Sequence, residues 1–177
     1  YNTNEAQMGQ PFDTLPFPAF SYPEDANAQI ARSVAYFNQD FGQEPGGMWP
    51  GEGSVSESVV SLFQENGLDW IATGNKVLER STSSPQPAYY PYRIDGDTVE
   101  GSGGSTDDEM SILFRDTVLS DKIGFAFQGL KGEDAANILF GDVLSQAPPF
   151  GAKDRLVTII LDGENAWQEY KKEHDGK

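Results

Sequence analysis

The chain has 177 residues, 37% of them hydrophobic and 12% aromatic, enough for one domain with a core of its own and too apolar for a disordered tail. Twelve basic residues stand against 28 acidic ones, a formal net charge of −16, which argues against nucleic acid or an anionic membrane surface as a partner and leaves a neutral ligand such as a sugar compatible. Without cysteine there is no disulfide and no thiolate metal site, and with His174 as the single histidine a histidine-based metal centre or a Ser-His-Asp triad is not expected.

Residues 1–22 carry Pro11, Pro16 and Pro18 between aromatic residues and show no helical period, so an extended surface segment is expected there. Ser21-Tyr22-Pro23-Glu24 reads as a capping box with proline near the first helical position. Ile30, Val34, Phe37 and Phe41 then mark one face of a helix that Gly42 ends. That pattern is explained by packing and carries no chemistry.

Pro45 to Glu57 is different. A short strand at Gly46–Trp49 leads to Glu52, which stands between Gly51 and Gly53, and a helix signal follows in which Ser54 and Glu57 form a capping box. A carboxylate on a tight turn at the mouth of a helix faces a cleft rather than a core, although an acidic loop residue stabilised by the helix dipole has the same pattern. The helix over about 54–66 buries Val55, Val59, Leu62 and Phe63 and stops at Gly67. Leu68–Thr73 is the next strand. Strand, helix and strand with short connections indicate parallel strands with helical crossovers.

Residues 81–106 interrupt the pattern. Ser81–Pro87 is turn-rich, Tyr89, Tyr90 and Tyr92 form an aromatic cluster suited to loop packing or sugar stacking, and Gly101–Ser105 is a flexible loop. Asp95-Gly96-Asp97 has a calcium-like look but lacks the rest of a binding loop, so a hairpin turn is the simpler reading. Met110–Phe114 is a strand ending in Arg115-Asp116, followed by Leu119-Ser120-Asp121 and Ile123–Phe127. Arg115 suits pairing with a nearby carboxylate, holding it ionised, and Asp116 or Asp121 suits hydrogen bonding to sugar hydroxyls; a structural ion pair explains the same residues. Glu133–Gln146 is expected as a helix with Ala136, Phe140, Val143 and Leu144 inward, stopped by Pro148-Pro149.

Leu156–Leu161 is a run of apolar and β-branched residues that reads as a buried strand delivering Asp162, Gly163 and Glu164, with Trp167 just beyond. Carboxylates at the C-terminal end of a buried strand are where barrel and other α/β enzymes keep their chemistry. From about Glu169 a polar helix begins. No internal repeat is visible, no signal peptide is expected within these residues, and no apolar run in them is long enough to span a bilayer.

The segments GMWPGEGSVSE and VTIILDGENAW together resemble glycoside hydrolase family 57, in particular its amylopullulanase and α-amylase-like members, and FRDTVLSDKIGF resembles a third stretch of the same family. The resemblance implies an α/β fold, part of an incomplete (β/α)7 TIM-like barrel. It implies a retaining hydrolase of α-glucans with Glu52 as nucleophile and Asp162 as acid/base. Trp49, Arg115, Asp116, Asp121, Glu164 and Trp167 are the substrate-binding candidates, with no cofactor and no metal. An acidic pair that many relatives carry after the second strand is replaced here by Gly74 and Asn75. The family's early His-Gln-Pro motif and upstream strands have no counterpart, and the chain starts at Tyr1, so residues 1–177 are expected to be one central catalytic fragment with the remainder of the parent chain as its partner. Alternatives are a 4-α-glucanotransferase and a catalytically silent carbohydrate-binding piece. A metal-dependent polysaccharide deacetylase, which needs two histidine ligands, does not fit.

Overall fold

A computed structural model describes residues 2–9, 12, 14–15, 17–84, 87–95, 109–148, 152–163 and 170. They fall into two compact units: Tyr1–Ala72 with Tyr92–Ile112, and Thr73–Pro91 with Leu113–Lys177.

In the first unit, helix α1 (Thr3–Gly9) replaces the fully extended segment expected from the prolines. Its start is set by Asn2, whose Oδ1 accepts from the backbone N–H of Asn4 at 3.1 Å and of Glu5 at 3.4 Å. The prolines all lie beyond its end. Helix α2 spans Pro23–Phe41 with Pro23 in its first turn, and no side chain caps its N-terminus, so the Ser21 capping box does not form. Gly42 closes it at φ 68°, as expected. Only the first part of the anticipated apolar face is deeply packed: Ile30 is buried, whereas Phe41 stacks on Phe37 and is largely exposed.

Strand β1 (Gly47–Met48) pairs in parallel with β2 (Trp70–Gly74), and helix α3 (Glu57–Glu65) is the crossover between them. Ser56, not Ser54, precedes α3, and its side chain makes no capping hydrogen bond. The helix ends in a Schellman motif: Gly67, at φ 76°, donates to the Gln64 carbonyl, and Leu68 donates to that of Phe63. Val60, Leu62, Phe63, Leu68, Ile71 and Ala72 form the core with Met110 and Ile112. Val55 and Val59, expected inside, are half-buried.

The sheet order is β1-β2-β4-β3. Strand β3 (Tyr92–Asp95) lies inside the expected 81–106 loop and pairs antiparallel with β4 (Glu109–Arg115), from Tyr92 opposite Ile112 to Asp95 opposite Glu109. Gly96, Asp97 and the Gly101–Ser105 loop lie outside the described residues.

In the second unit, helix α4 (Asn75–Ser81) follows β2 directly, and α5 (Thr117–Asp121) follows β4. A π-helical turn at Lys122–Ala126 and a 3-10 turn at Phe127–Gly129 lead to α6 (Gly132–Ser145). Leu78, Phe114, Leu119 and Phe127 are buried with Thr73 and Ser120. The face expected inward on α6 is corrected: Phe140 and Leu144 are exposed, and Ala136 is too. The half-buried residues are Ala135, Leu139, Asp142 and Val143, a face turned by about one residue. An ion pair from Lys122 to Asp142 at 2.6 Å fastens that face.

The buried strand expected at Leu156–Leu161 is also corrected. Its ladder is a single parallel bridge between Thr158 and Arg115, and Leu156, Ile159 and Leu161 are exposed. Bridge and helices still make β4-α5-α6-Thr158 a parallel crossover, so the fold is α/β, with parallel pairing across helices as the incomplete barrel requires.

One contact fixes the strand that leads to Glu52. In the β1–β2 register Gly47 sits opposite Trp70, and a Cβ on Gly47 would land inside the indole and 2.6 Å from the Trp70 carbonyl oxygen. Gly47→Ala should therefore lower stability by about 1–3 kcal/mol, as overpacking does. In a Trp70→Ala background the same change should cost less. Urea denaturation of the four proteins measures both; equal losses in the two backgrounds would remove the indole as the cause.

Candidate active site

Glu52 enters its turn because the chain around it has few other options. Pro50 is buried, with φ −62° and ψ 156°, and delivers an extended chain into a 3-10 turn over Gly51–Gly53. Gly53 donates to the Pro50 carbonyl at 2.8 Å and Ser54 to that of Gly51 at 3.1 Å. Within the turn Glu52 takes φ 56°, ψ 19°; among the described residues it is the one non-glycine with positive φ. A left-handed conformation costs an L-residue roughly 1–2 kcal/mol. Gly53 follows at φ 65° with no room for a side chain, since a Cβ there would meet Trp49 Cη2 at 2.7 Å and Cζ2 at 2.8 Å. Trp49 is thus the post around which the turn is wound, whether or not its half-exposed ring also meets a ligand. The Glu52 side chain is exposed, and its carboxylate makes no hydrogen bond or ion pair among the described residues.

The second carboxylate belongs to the other unit and is held by a longer chain of bonds. Four hydrogen bonds fix the segment leading to Asp162. Leu156 N–H donates to the Tyr89 carbonyl at 2.8 Å, and Asp116 N–H donates to the Thr158 carbonyl at 2.8 Å. Ile160 N–H donates to Ser120 Oγ at 3.3 Å, and Arg115 Nε donates to the Ile160 carbonyl at 2.8 Å. Arg115 turns its Nη2 to Asp121 Oδ1 at 2.9 Å, so the carboxylate partner expected for Arg115 is Asp121. Asp162 lies just past the last of these anchors and is exposed. Glu164, Trp167, His174 and the terminal helix lie outside the described residues.

Asp116 has a clear structural task. It is buried and caps α5, its Oδ1 accepting from Leu119 N–H at 2.9 Å, while its Oδ2 accepts from the Tyr89 hydroxyl at 3.0 Å. Burial first, then that hydrogen bond and the negative charge of Asp116, hold the Tyr89 phenol above its ordinary 10.0; the Arg155 guanidinium, 5.9 Å from the ring centroid, pulls partly the other way. Burial raises Tyr170 as well, whose hydroxyl donates to the Ile123 carbonyl.

Sequence reasoning overlooked Tyr89 and Ser120 as anchors of the Asp162 segment, and Thr117, whose hydroxyl donates to Asn75 Oδ1 at 2.7 Å. Asp116-Thr117 immediately before an apolar pair is an N-cap signal that finds α5. Nothing local reveals the Tyr89 and Ser120 bonds. Asn75 also bonds Glu79, so its amide is tied both within α4 and to the start of α5. Among the described residues no group of three or more His, Asp or Glu side chains is placed to hold a metal ion, and no helix is long and apolar enough to cross a membrane.

Parallel strands joined by helical crossovers define an α/β protein, with Glu52 on a left-handed turn after β1 in the first unit and Asp162 after the Thr158 bridge in the second. The family model described as glycosyl hydrolase family 57 matches residues 8–177, and the chain belongs to that family. Among solved structures, 4-alpha-glucanotransferase from Thermococcus litoralis is similar in fold, with a TM-score of 0.57 and 16% identity over 84% of this chain. The chain spans 21% of the length of that protein. No curated protein sequence matches it.

Two outcomes follow from this geometry. Glu52→Gly should be more stable than Glu52→Ala by about 0.5–1 kcal/mol, because glycine relieves roughly 1–2 kcal/mol of left-handed cost and gives back about 0.5–1 kcal/mol in chain entropy; thermal unfolding of both variants checks the sign. The raised Tyr89 phenol keeps its proton in the folded state above the pH at which the unfolded chain releases it. Its stabilisation is complete below pH 10.0 and lost as pH rises through the folded value. Tyr89→Phe should flatten the alkaline fall in stability and, by leaving a buried Asp116 oxygen unpaired, cost about 1–3 kcal/mol at neutral pH.

Proposed function

We propose that this chain is a catalytic portion of a retaining glycoside hydrolase acting on α-glucans by double displacement. Glu52, ionised, attacks the anomeric carbon while Asp162, protonated, delivers its proton to the leaving oxygen. Asp162 then takes a proton from water, which releases the sugar from Glu52 with its configuration retained. The two carboxyl groups must come within roughly 5–5.5 Å for this sequence of steps. Arg115 serves by holding the backbone at Ile160, and with it the approach to Asp162, and by orienting Asp121 toward sugar hydroxyls. Asp116 keeps α5 and Tyr89 in place beside that segment. Trp49, Glu164 and Trp167 are assigned to pyranose contact, with the Trp49 ring also shaping the nucleophile's turn.

The observation that carries the reading is Glu52 itself. A carboxylate held exposed, unpartnered among the described residues and in a costly backbone conformation, inside a segment matched to family 57, is explained by a task at that carboxylate. The substrate class is supported by family membership and by the similarity in fold to a 4-alpha-glucanotransferase. Transfer and hydrolysis share the glycosyl-enzyme step and differ in the acceptor that ends it, so a glucanotransferase is the second reading. Amylopullulanase and α-amylase specificities are both within the proposal, and the remainder of a longer catalytic chain is its expected partner.

The test uses the full-length parent enzyme with amylose, pullulan and maltooligosaccharides, products being identified by chromatography. Glu52→Gln and Asp162→Asn should each lower kcat by about 10²–10⁴-fold or more. Azide should rescue a Glu52→Ala variant with inverted product. Near-normal rates in both conservative variants would remove the catalytic assignment, and longer products from maltooligosaccharides would select transfer over hydrolysis.

A further inference from the structure

Glu52's turn also forms one wall of a cleft that the catalytic proposal does not use. The cleft has a volume of about 470 Å³, within the range of small-molecule pockets, and lies wholly in the first unit. Ile30 and Phe63 make a buried apolar floor, and Pro50 and Gly51, which lead into Glu52, line it. At its edge the Phe20 and Tyr22 rings stand 5.7 Å apart at 33°, both about half exposed. Phe20 is fixed from behind: its N–H donates to Thr3 Oγ1 at 2.8 Å and its carbonyl accepts from Thr3 N–H at 3.0 Å. One stripe of α2 faces the cleft with Asp25, Gln29 and Ser33. Ser33 donates to the Gln29 carbonyl, while the Asp25 carboxylate and Gln29 amide make no hydrogen bond among the described residues.

We infer that this cleft is an accessory binding subsite for a neutral pyranoside, next to the nucleophile's turn and distinct from it. Two anchored aromatic faces suit the C–H face of a sugar ring, and a carboxylate and an amide one helical turn apart suit adjacent ring hydroxyls. Asp25 and the chain's net charge of −16 oppose an anion. The polar stripe opposes a wholly apolar ligand, whose burial would strand the amide and carboxylate. The inference rests on the α-glucan reading for the identity of the sugar; the cleft's chemistry is independent of Glu52.

The experiment is calorimetric titration of the 177-residue chain with maltotriose, alongside sedimentation velocity. Maltotriose should bind, and Tyr22→Ala and Gln29→Ala should each weaken it roughly three- to tenfold with unchanged thermal unfolding. Tyr22→Phe should keep binding. An absence of binding, or binding indifferent to both alanine variants, overturns the inference. So does self-association that Tyr22→Ala dissolves without any effect of sugar, which would make the cleft a contact between copies. Should Glu52→Gln leave hydrolysis by the parent enzyme intact, the catalytic assignment falls and a measured effect of Tyr22 and Gln29 on binding still stands.

Discussion

The winding of residues 50–54 around the Trp49 indole is the constraint from which the first unit's functional geometry follows. Gly53 can sit against that ring because it has no Cβ, and with Gly53 there the turn closes with Glu52 in the left-handed region. At that position the Glu52 side chain is exposed. The same turn displaces the start of α3 to Glu57, which takes Ser54 away from the capping role its spacing suggested. Trp70 over Gly47 fixes the strand below. Two indole–glycine contacts therefore bracket the approach to Glu52. The cost of the turn is local, and the core of Ile71, Phe63 and their neighbours carries it.

The second unit solves a similar positioning problem by other means. Its segment before Asp162 has one ladder bridge, so regular pairing cannot fix its course. Side chains take over: Ser120 and Arg115 each bind the backbone of Ile160, and Tyr89 contributes both its carbonyl, to Leu156, and its hydroxyl, to Asp116. Arg115 is well chosen for this, since its planar fork serves a carbonyl and the Asp121 carboxylate at once. Asp116 similarly serves a helix cap and a phenol. Charged residues that first look like sugar contacts are thereby shown to build the segment, and whatever they do for a ligand they do from fixed positions.

How much of this was legible in the sequence depended on how local the determining physics is. Gly42 and Gly67 announced helix ends because positive φ is a one-residue property. The tight turn at Glu52 was legible from its flanking glycines. The β1-α3-β2 crossover was legible from apolar runs with short connections. Helix α1 was not, since a seven-residue helix rests on one capping asparagine while three prolines nearby argue for extension. On α6 Val143 was placed correctly, but Ala136, Phe140 and Leu144 offered as good a stripe beside it as Ala135 and Leu139, and burial is decided by what packs alongside. The apolar run at 156–161 suggested burial on both faces, but exposure depends on neighbours that composition does not specify. Tyr89, Ser120 and Arg115 join residues far apart in the chain, beyond the reach of any periodicity.

That last segment has a practical consequence. Among the described residues the backbone groups of Val157, Ile159 and Leu161 make no hydrogen bond, while Leu156, Ile159 and Leu161 leave apolar side chains in water. An extended, apolar, unpaired edge is a template onto which another strand can add. In a purified preparation of this chain that segment is a place where copies can add edge to edge, and a lysine at Ile159 would blunt it.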